Sequence, residues 1–146
     1  MAEVSNAAHG KDFQGDLFDA LNLASLKGGI ALVRKDYGLR HPGYHNAKQY
    51  YAPFVVTFRD GEQWALFTTT SCRTDRIKGQ QWDADHLKTL EPAIKRVFLV
   101  YPDEVSERER AAFESQQRKY DTNWEFSRID RILPYTELMN EIAKHG

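Results

Sequence analysis

The stretch "FVVTFRDGEQWALFTTT" (residues 54–70) decides the fold that the sequence predicts. Two runs rich in β-branched and aromatic residues, 54–58 and 64–70, flank a polar segment that contains Asp60 and Gly61. An Asp-Gly pair between two such runs is typical of a tight β-hairpin. We therefore expect two antiparallel strands that belong to one sheet.

The residues before the hairpin predict one helix and one short strand. Apolar residues recur at helical spacing over residues 12–26, and Gly28 favours a helix end just beyond them. The run "IALVRK" (30–35) predicts a strand. Residues 36–49 predict a loop, because glycine and proline interrupt them.

The residues after the hairpin predict alternating helices and strands. Asp83 can cap one helix, and Ser106 and Glu109 have the spacing of a capping box at the start of another. Between these helices the run "RVFLVY" (96–101) is almost uniformly apolar, as expected of a strand covered on both faces. A further strand is expected within residues 124–133, although that segment is ambiguous.

Pro134 suits the first position of a last helix, whose inner face is predicted to carry Leu138, Met139 and Ile142. The elements together predict an α/β fold, in which helices flank a central mixed β-sheet with a β-hairpin. A chain of 146 residues fits a single domain over residues 1–146, with a flexible N-terminus at 1–11.

Composition limits the setting in which this protein works. Cys72 is the only cysteine, which excludes an internal disulfide and favours a reducing compartment. No apolar run approaches the length of a membrane span, and "MAEVSNAAHGKDF" lacks the apolar core of a signal peptide. We therefore expect a cytoplasmic protein without membrane contact.

Charge is distributed unevenly along the chain although the net charge is only −1. Residues 27–79 hold nine Lys/Arg and four Asp/Glu, whereas the rest hold eleven and seventeen. A basic middle between acidic flanks suggests a face for an anionic partner. The alternative is that helical flanks simply carry more solvated carboxylates.

The hairpin predicts where polar side chains meet. The beginning of its first strand should lie beside the end of its second, which brings residues 49–51 near 69–71. The loops expected at residues 41–48 and 73–81 should meet at the same end. Cations, hydroxyls and amides at that end suit DNA phosphates and base edges, whereas the alternative is a solvated basic loop with weak ion pairs. The predicted DNA contacts are Lys48, Thr69, Ser71, Arg73, Arg76, Lys78 and Gln80.

The order helix, strand, hairpin, helix, strand resembles the PD-(D/E)xK nuclease fold of restriction endonucleases over roughly residues 12–101. The most suggestive part is "APFVVTFRDGEQWALFTTTSCRTDRIKGQQWDADHLK". The resemblance implies DNA as the partner, and acidic residues that bind Mg²⁺ for phosphodiester hydrolysis. It implies no organic cofactor, and symmetric duplex cutting implies a homodimer or a larger nuclease partner.

The sequence departs from the motif of that family. Ala52-Pro53-Phe54 stands where the first acid belongs, and Leu66-Phe67-Thr68 or Phe67-Thr68-Thr69 stands where acidic-x-Lys belongs. A threonine hydroxyl cannot replace the charge of a carboxylate at Mg²⁺. Three interpretations stay open: a lost metal site with retained DNA binding, relocated catalytic groups, or a topological resemblance alone.

The second interpretation assigns catalysis to Asp75 and Lys78, with Asp75 as the metal ligand and Asp16 as the acid of the first helix. The predicted function is therefore that of a DNA-binding protein of restriction-endonuclease-like type, with metal-dependent endonuclease activity under this interpretation. The alternative is a catalytically inactive nuclease-fold subunit that acts as a nucleic-acid or protein interaction module.

Overall fold

A computed structural model describes residues 6–39, 49–121 and 128–145. Side chains are described for residues 12–39, 49–119 and 128–145. Within these ranges the elements, in chain order, are α1 (Asn6–Leu26), β1 (Ile30–Leu39), β2 (Tyr50–Phe58), β3 (Gln63–Thr68), α2 (Thr74–Leu90), β4 (Ile94–Tyr101), α3 (Glu107–Asp121), β5 (Arg131–Pro134) and α4 (Tyr135–His145). No described helix is both long enough and apolar enough to cross a membrane.

The five described strands form one mixed sheet in the order β1-β2-β3-β4-β5. The β1–β2 and β2–β3 pairs are antiparallel, and the β3–β4 and β4–β5 pairs are parallel. The predicted Asp-Gly hairpin joins β2 to β3: Gly61 has a φ of 92°, and Asp60 accepts a hydrogen bond from the Glu62 N–H at 2.9 Å. The predicted α/β fold with a central mixed sheet is confirmed.

Helices cover both faces of the sheet and divide the core into two clusters. On one face Leu17 of α1 and Leu138 of α4 pack with side chains such as Trp64 of β3. On the other face Ile77 of α2 and Phe113 of α3 pack with residues that include Ala65. This layering explains why β4 is continuously apolar from Val97 to Tyr101, since both of its faces are buried there.

In β1 and β2, the set of alternate side chains that faces the α1 side of the sheet changes partway along the strands. Phe54 and the alternate residues after it pack on the α1 side, whereas Tyr50 and Ala52 before it pack on the α2 side. The change falls at Pro53, between the pairs Lys35↔Phe54 and Tyr37↔Ala52. The β1 residue between those pairs, Asp36, has a φ of 55°, in the left-handed region that side chains rarely adopt.

The predicted helix start at Asp83 is wrong, because α2 begins at Thr74. Residues 73–81 were expected to form a loop, since the start of α2 has a weak sequence signal. Its N-cap is Arg73, which makes no side-chain capping bond, and Gly79 lowers the helix propensity of the first turns. Burial of Ile77 against the sheet favours the helix despite these residues.

Other boundaries differ by smaller amounts. α1 begins at Asn6 rather than at residue 12, and β1 continues to Leu39 because β2 pairs with it along that length. Ser106 accepts a bond from the Glu109 N–H at 3.1 Å, as half of the predicted capping box. The Glu109 carboxylate instead accepts from the Cys72 N–H at 2.8 Å, so it does not complete the box.

The C-terminal predictions are largely met. β5 is shorter than the expected strand, and residues 122–127 of that segment lie outside the described residues. Pro134 is the last residue of β5 and directly precedes α4. Leu138 and Ile142 are buried on the inner face of α4, as predicted, and Met139 packs beside them.

Candidate nucleic-acid interface

Buried apolar side chains occupy the strand segments to which the resemblance assigns the acidic residues, in either register of the motif. Phe54 of β2 pairs with Leu66 of β3, and both side chains are fully buried. Phe54 also stacks on Phe18 of α1, with 5.9 Å between ring centroids. Neither residue is a carboxylate, so these two positions offer no charged ligand to a metal ion.

A hydrogen bond between two uncharged side chains lies next to Phe54 and Leu66, at the end of β3. We call these strand residues, with Thr68, the strand site. The Nε2 of Gln14 on α1 donates to the Oγ1 of Thr68 on β3 at 2.9 Å. An amide and a hydroxyl are weak ligands for Mg²⁺ and carry no charge that could offset it. Among the residues with described side chains, no group of three His, Cys, Asp or Glu could hold a metal ion. The described residues therefore do not fit the predicted Mg²⁺.

Asp16, the predicted acid of the first helix, is exposed on α1. It follows Gln14 by two residues, and side chains two apart on a helix do not share a face. Since Gln14 points at Thr68, Asp16 points away from the strand site. The α1 side chain that contacts the strand is therefore the amide of Gln14 and not the predicted acid.

The segment between β3 and α2 is fixed by its own hydrogen bonds. Thr69 is buried, its N–H donates to the Val100 carbonyl at 3.0 Å, and its hydroxyl donates to the Ser71 carbonyl at 2.7 Å. The predicted DNA contact Thr69 is thus occupied within the chain, whereas Ser71 is half-buried beside it. Cys72 is tied to Glu109, and burial, followed by the Glu109 charge, raises the pKa of its thiol.

The predicted neighbours across the hairpin are only partly brought together. The paired ladder of β2 and β3 extends from Thr57↔Gln63 to Phe54↔Leu66 and β3 continues beside β4 alone. Tyr50, at the beginning of β2, stacks instead on His86 of α2, at 4.1 Å between centroids. The open end of the hairpin is therefore bordered by α2.

Three of the seven predicted DNA contacts lie on the first two turns of α2, and a fourth, Arg73, is its N-cap. Arg73 and Asp75 form an exposed ion pair at 3.3 Å, so the predicted catalytic acid contacts a cation and not a second acid. Arg76 and Lys78 are exposed, and neither contacts a carboxylate among the described residues. Gln80 is half-buried, and Lys48 lies outside the described residues.

The second half of α2 contains a polar contact that the sequence analysis missed. Gln81 is buried, and its Oε1 accepts hydrogen bonds from the backbone N–H groups of Arg128 at 2.6 Å and Ile129 at 2.7 Å. The signal was available, because Gln81 is four residues after Ile77 and three before Ala84, on the apolar face of a helix. A polar residue on that face indicates a buried hydrogen-bonding role.

The fold and this surface define an α/β protein with a neutral strand site beside an exposed cationic helix start. The chain is similar to the type II restriction enzyme BsuFI of Bacillus subtilis, with 26% identity over 114 residues, or 77% of this chain. It spans only 28% of the length of that relative. No family model matches the chain, and no solved structure does. The match suggests a restriction-endonuclease-like relationship.

Proposed function

We propose that this chain is a DNA-binding protein of restriction-endonuclease-like type whose strand site does not cut. The observation that carries the proposal is the burial of apolar side chains at that site: neither register of the motif supplies a carboxylate, Phe54, Leu66 and Phe67 are buried, and Thr68 is bonded to Gln14. A catalytic metal needs charged oxygen ligands there. DNA binding does not require that site, because it needs only exposed cations.

The binding surface that we propose is the solvent face of α2 near its start. Arg76 and Lys78 are exposed there without a carboxylate contact among the described residues. Phosphate contacts of such cations position a protein on DNA without reading its sequence. The similarity to a type II restriction enzyme supports DNA as the anionic partner. Ser71, Arg73 and Gln80 remain proposed contributors at the edge of this surface. Lys48, outside the described residues, stays a predicted DNA contact.

A second candidate function is metal-dependent DNA cleavage by Asp75 and Lys78, which the restriction-enzyme match favours. Asp75 is one exposed carboxylate paired with Arg73, and this is the surface ion pair that the sequence analysis weighed as the alternative.

A protein with a non-catalytic strand site would act beside a nuclease that cuts. We therefore propose a larger nuclease as the protein partner of a non-cutting chain. A homodimer belongs to the second candidate function, since symmetric duplex cutting needs two active sites.

Plasmid nicking separates the two functions. Supercoiled plasmid is incubated with the chain in Mg²⁺ or Mn²⁺, beside a variant that combines Asp75→Ala with Lys78→Ala. We expect no nicking by either protein. Nicking by the wild type that the double variant loses would establish the second function and refute ours.

DNA binding is tested by fluorescence anisotropy with a labelled duplex over a series of salt concentrations. Replacing Arg76 and Lys78 by Ala should weaken binding about tenfold at low salt and lower the log–log salt slope by about 2. The control replaces Lys95 and Lys144 by Ala, since both are exposed and lie on β4 and α4. Equal losses in the two double variants would show that net charge, and not the α2 surface, governs binding.

A further inference from the structure

Two described tryptophans have opposite environments. Trp64 is 0% exposed, its indole N–H donates to Glu62 at 2.7 Å, and its ring meets Phe98 edge to face. Trp82 on α2 is 59% exposed and belongs to neither core cluster. Exposing so much aromatic surface forgoes burial that would stabilise the fold. The core therefore does not explain a tryptophan at this position.

The Trp82 ring is nevertheless held in place. The His86 ring lies 4.5 Å from it between centroids, and His86 Nδ1 is 2.9 Å from the Trp82 carbonyl oxygen. His86 in turn stacks on Tyr50 of β2 at 4.1 Å with 9° between the planes. The exposed indole thus stands at the outer end of a row of three rings that is anchored in the sheet.

The surroundings of Trp82 leave it open and place a positive charge beside it. Lys78 precedes it by one turn on the same side of α2 and is exposed. Gly79 lies three residues before it, and a Cβ added there would meet nothing within 4 Å. Glycine inside a helix is unfavourable, and no close packing within the described part of the chain explains this one. Its missing side chain leaves the flank of the indole clear.

We infer that Trp82 is a stacking platform for an unpaired DNA base, and that Lys78 holds the adjoining phosphate. A flat ligand that also carries a phosphate matches an indole next to an ammonium group. The faces of bases inside a duplex are already stacked, so a fixed indole can reach a base only where the strand is single or the base is extruded. The inference rests on the proposed DNA binding and deepens it, since it names single-stranded DNA as the preferred form.

The test measures the affinity of the full chain for a labelled thymidine oligomer of about 16 nucleotides and for a duplex. Trp82→Ala should weaken binding to the single strand by about 5- to 100-fold, which corresponds to the loss of one stacked base. It should change duplex binding by less than about twofold. Trp82→Phe should retain most of the single-strand affinity, because a phenyl ring also stacks.

A spectroscopic readout accompanies these affinities. Tryptophan emission should fall when the thymidine oligomer is added to the wild type, and the fall should be smaller in Trp82→Phe. The control is Leu23→Ala, which removes another exposed apolar side chain from α1. Gly79→Leu should weaken single-strand binding, since the added side chain stands beside the indole, and thermal melts should show that each variant is folded.

The outcomes separate the two proposals. Trp82→Ala binding that is unchanged for the single strand, or weakened equally for both DNA forms, would overturn the stacking role and leave DNA binding intact. A larger loss on the duplex would point to insertion between stacked base pairs and would also overturn it. Failure of the wild type to bind either form would refute the proposed function itself.

Discussion

The two halves of α2 differ in what their polar side chains contact. In the second half, Gln81 accepts two backbone N–H groups, Asp85 pairs with Arg128 at 2.8 Å, and Lys88 pairs with Asp130 at 2.9 Å. In the first half, Arg76 and Lys78 face solvent without such contacts among the described residues. The second half of α2 thus uses its polar side chains to hold the chain near β5, whereas the first half keeps two cations exposed to solvent.

The difference shows that charge alone does not mark a binding surface. Asp85 and Lys88 sit on the same helix as Lys78, but their partners come from the chain near β5. Exposed ion pairs contribute little to stability, yet they neutralise the charges that a phosphate would otherwise contact. Arg76 and Lys78, which contact no carboxylate among the described residues, are therefore the α2 cations that we expect to contact phosphate.

The largest effect is expected at Gln81. Gln81→Ala removes the acceptor of the Arg128 and Ile129 N–H groups in a buried place, and each such loss costs about 1–3 kcal/mol. The free energy of unfolding in urea should fall by about 2–4 kcal/mol. Gln80→Ala is the matched control, since the Oε1 of Gln80 has no hydrogen-bond partner among the described residues. The Nε2 of Gln81 has none there either, so the difference between the two variants reports the two accepted bonds. Equal losses for the neighbouring glutamines would show that the second half of α2 does not anchor the chain.

A smaller effect of opposite sign is expected at Gly79. Gly79→Ala should raise the free energy of unfolding by about 0.5–1 kcal/mol, because alanine favours the helix and has room there. Gly61→Ala is the contrasting variant: it also has room, but a φ of 92° strains any side chain, so it should destabilise. Both are measured by urea denaturation. A loss of stability in Gly79→Ala would mean that the first half of α2 is not an ordinary helix.

The smallest effect concerns the segment that leads into α2. Because burial and the Glu109 charge raise the pKa of Cys72, little thiolate forms at neutral pH, and alkylation by iodoacetamide should be slow until the pH exceeds the usual cysteine range. Glu109→Gln keeps an acceptor for the Cys72 N–H but removes the charge, so the pKa should fall and alkylation should become a few-fold faster at pH 8. An unchanged rate would show that burial alone protects the thiol, and urea-unfolded protein gives the reference rate.

The sequence predicted the elements whose signals are local. The Asp60-Gly61 turn between apolar runs and the spacing of Leu138 and Ile142 in α4 were sufficient for their elements. Extension of β1 to Leu39 was not predictable, because pairing with β2 overrides the unfavourable glycine and aspartate in that strand. The start of α2 was missed for a similar reason, since packing of Ile77 compensates for an uncapped end.

The sequence predicted which charged residues the candidate site lacks, but it did not predict the contacts that the site makes. The lack of a carboxylate at Phe54 and Leu66 could be read directly from the motif. The bond between Gln14 and Thr68 joins residues 54 positions apart, and only the packing of α1 on the sheet brings them together. The expected loop at residues 73–81 also hid the spacing that places Lys78 and Trp82 on one side of a helix.

The irregular strand β1 has a consequence for assembly. It is an outer strand of the sheet, with a register shift between Ile30 and Leu32 and a left-handed residue at Asp36. Consecutive charged residues, Arg34 to Asp36, run along it. Such an edge discourages another strand from adding to the sheet. Strand addition at β1 is therefore not a route by which another chain would extend this sheet.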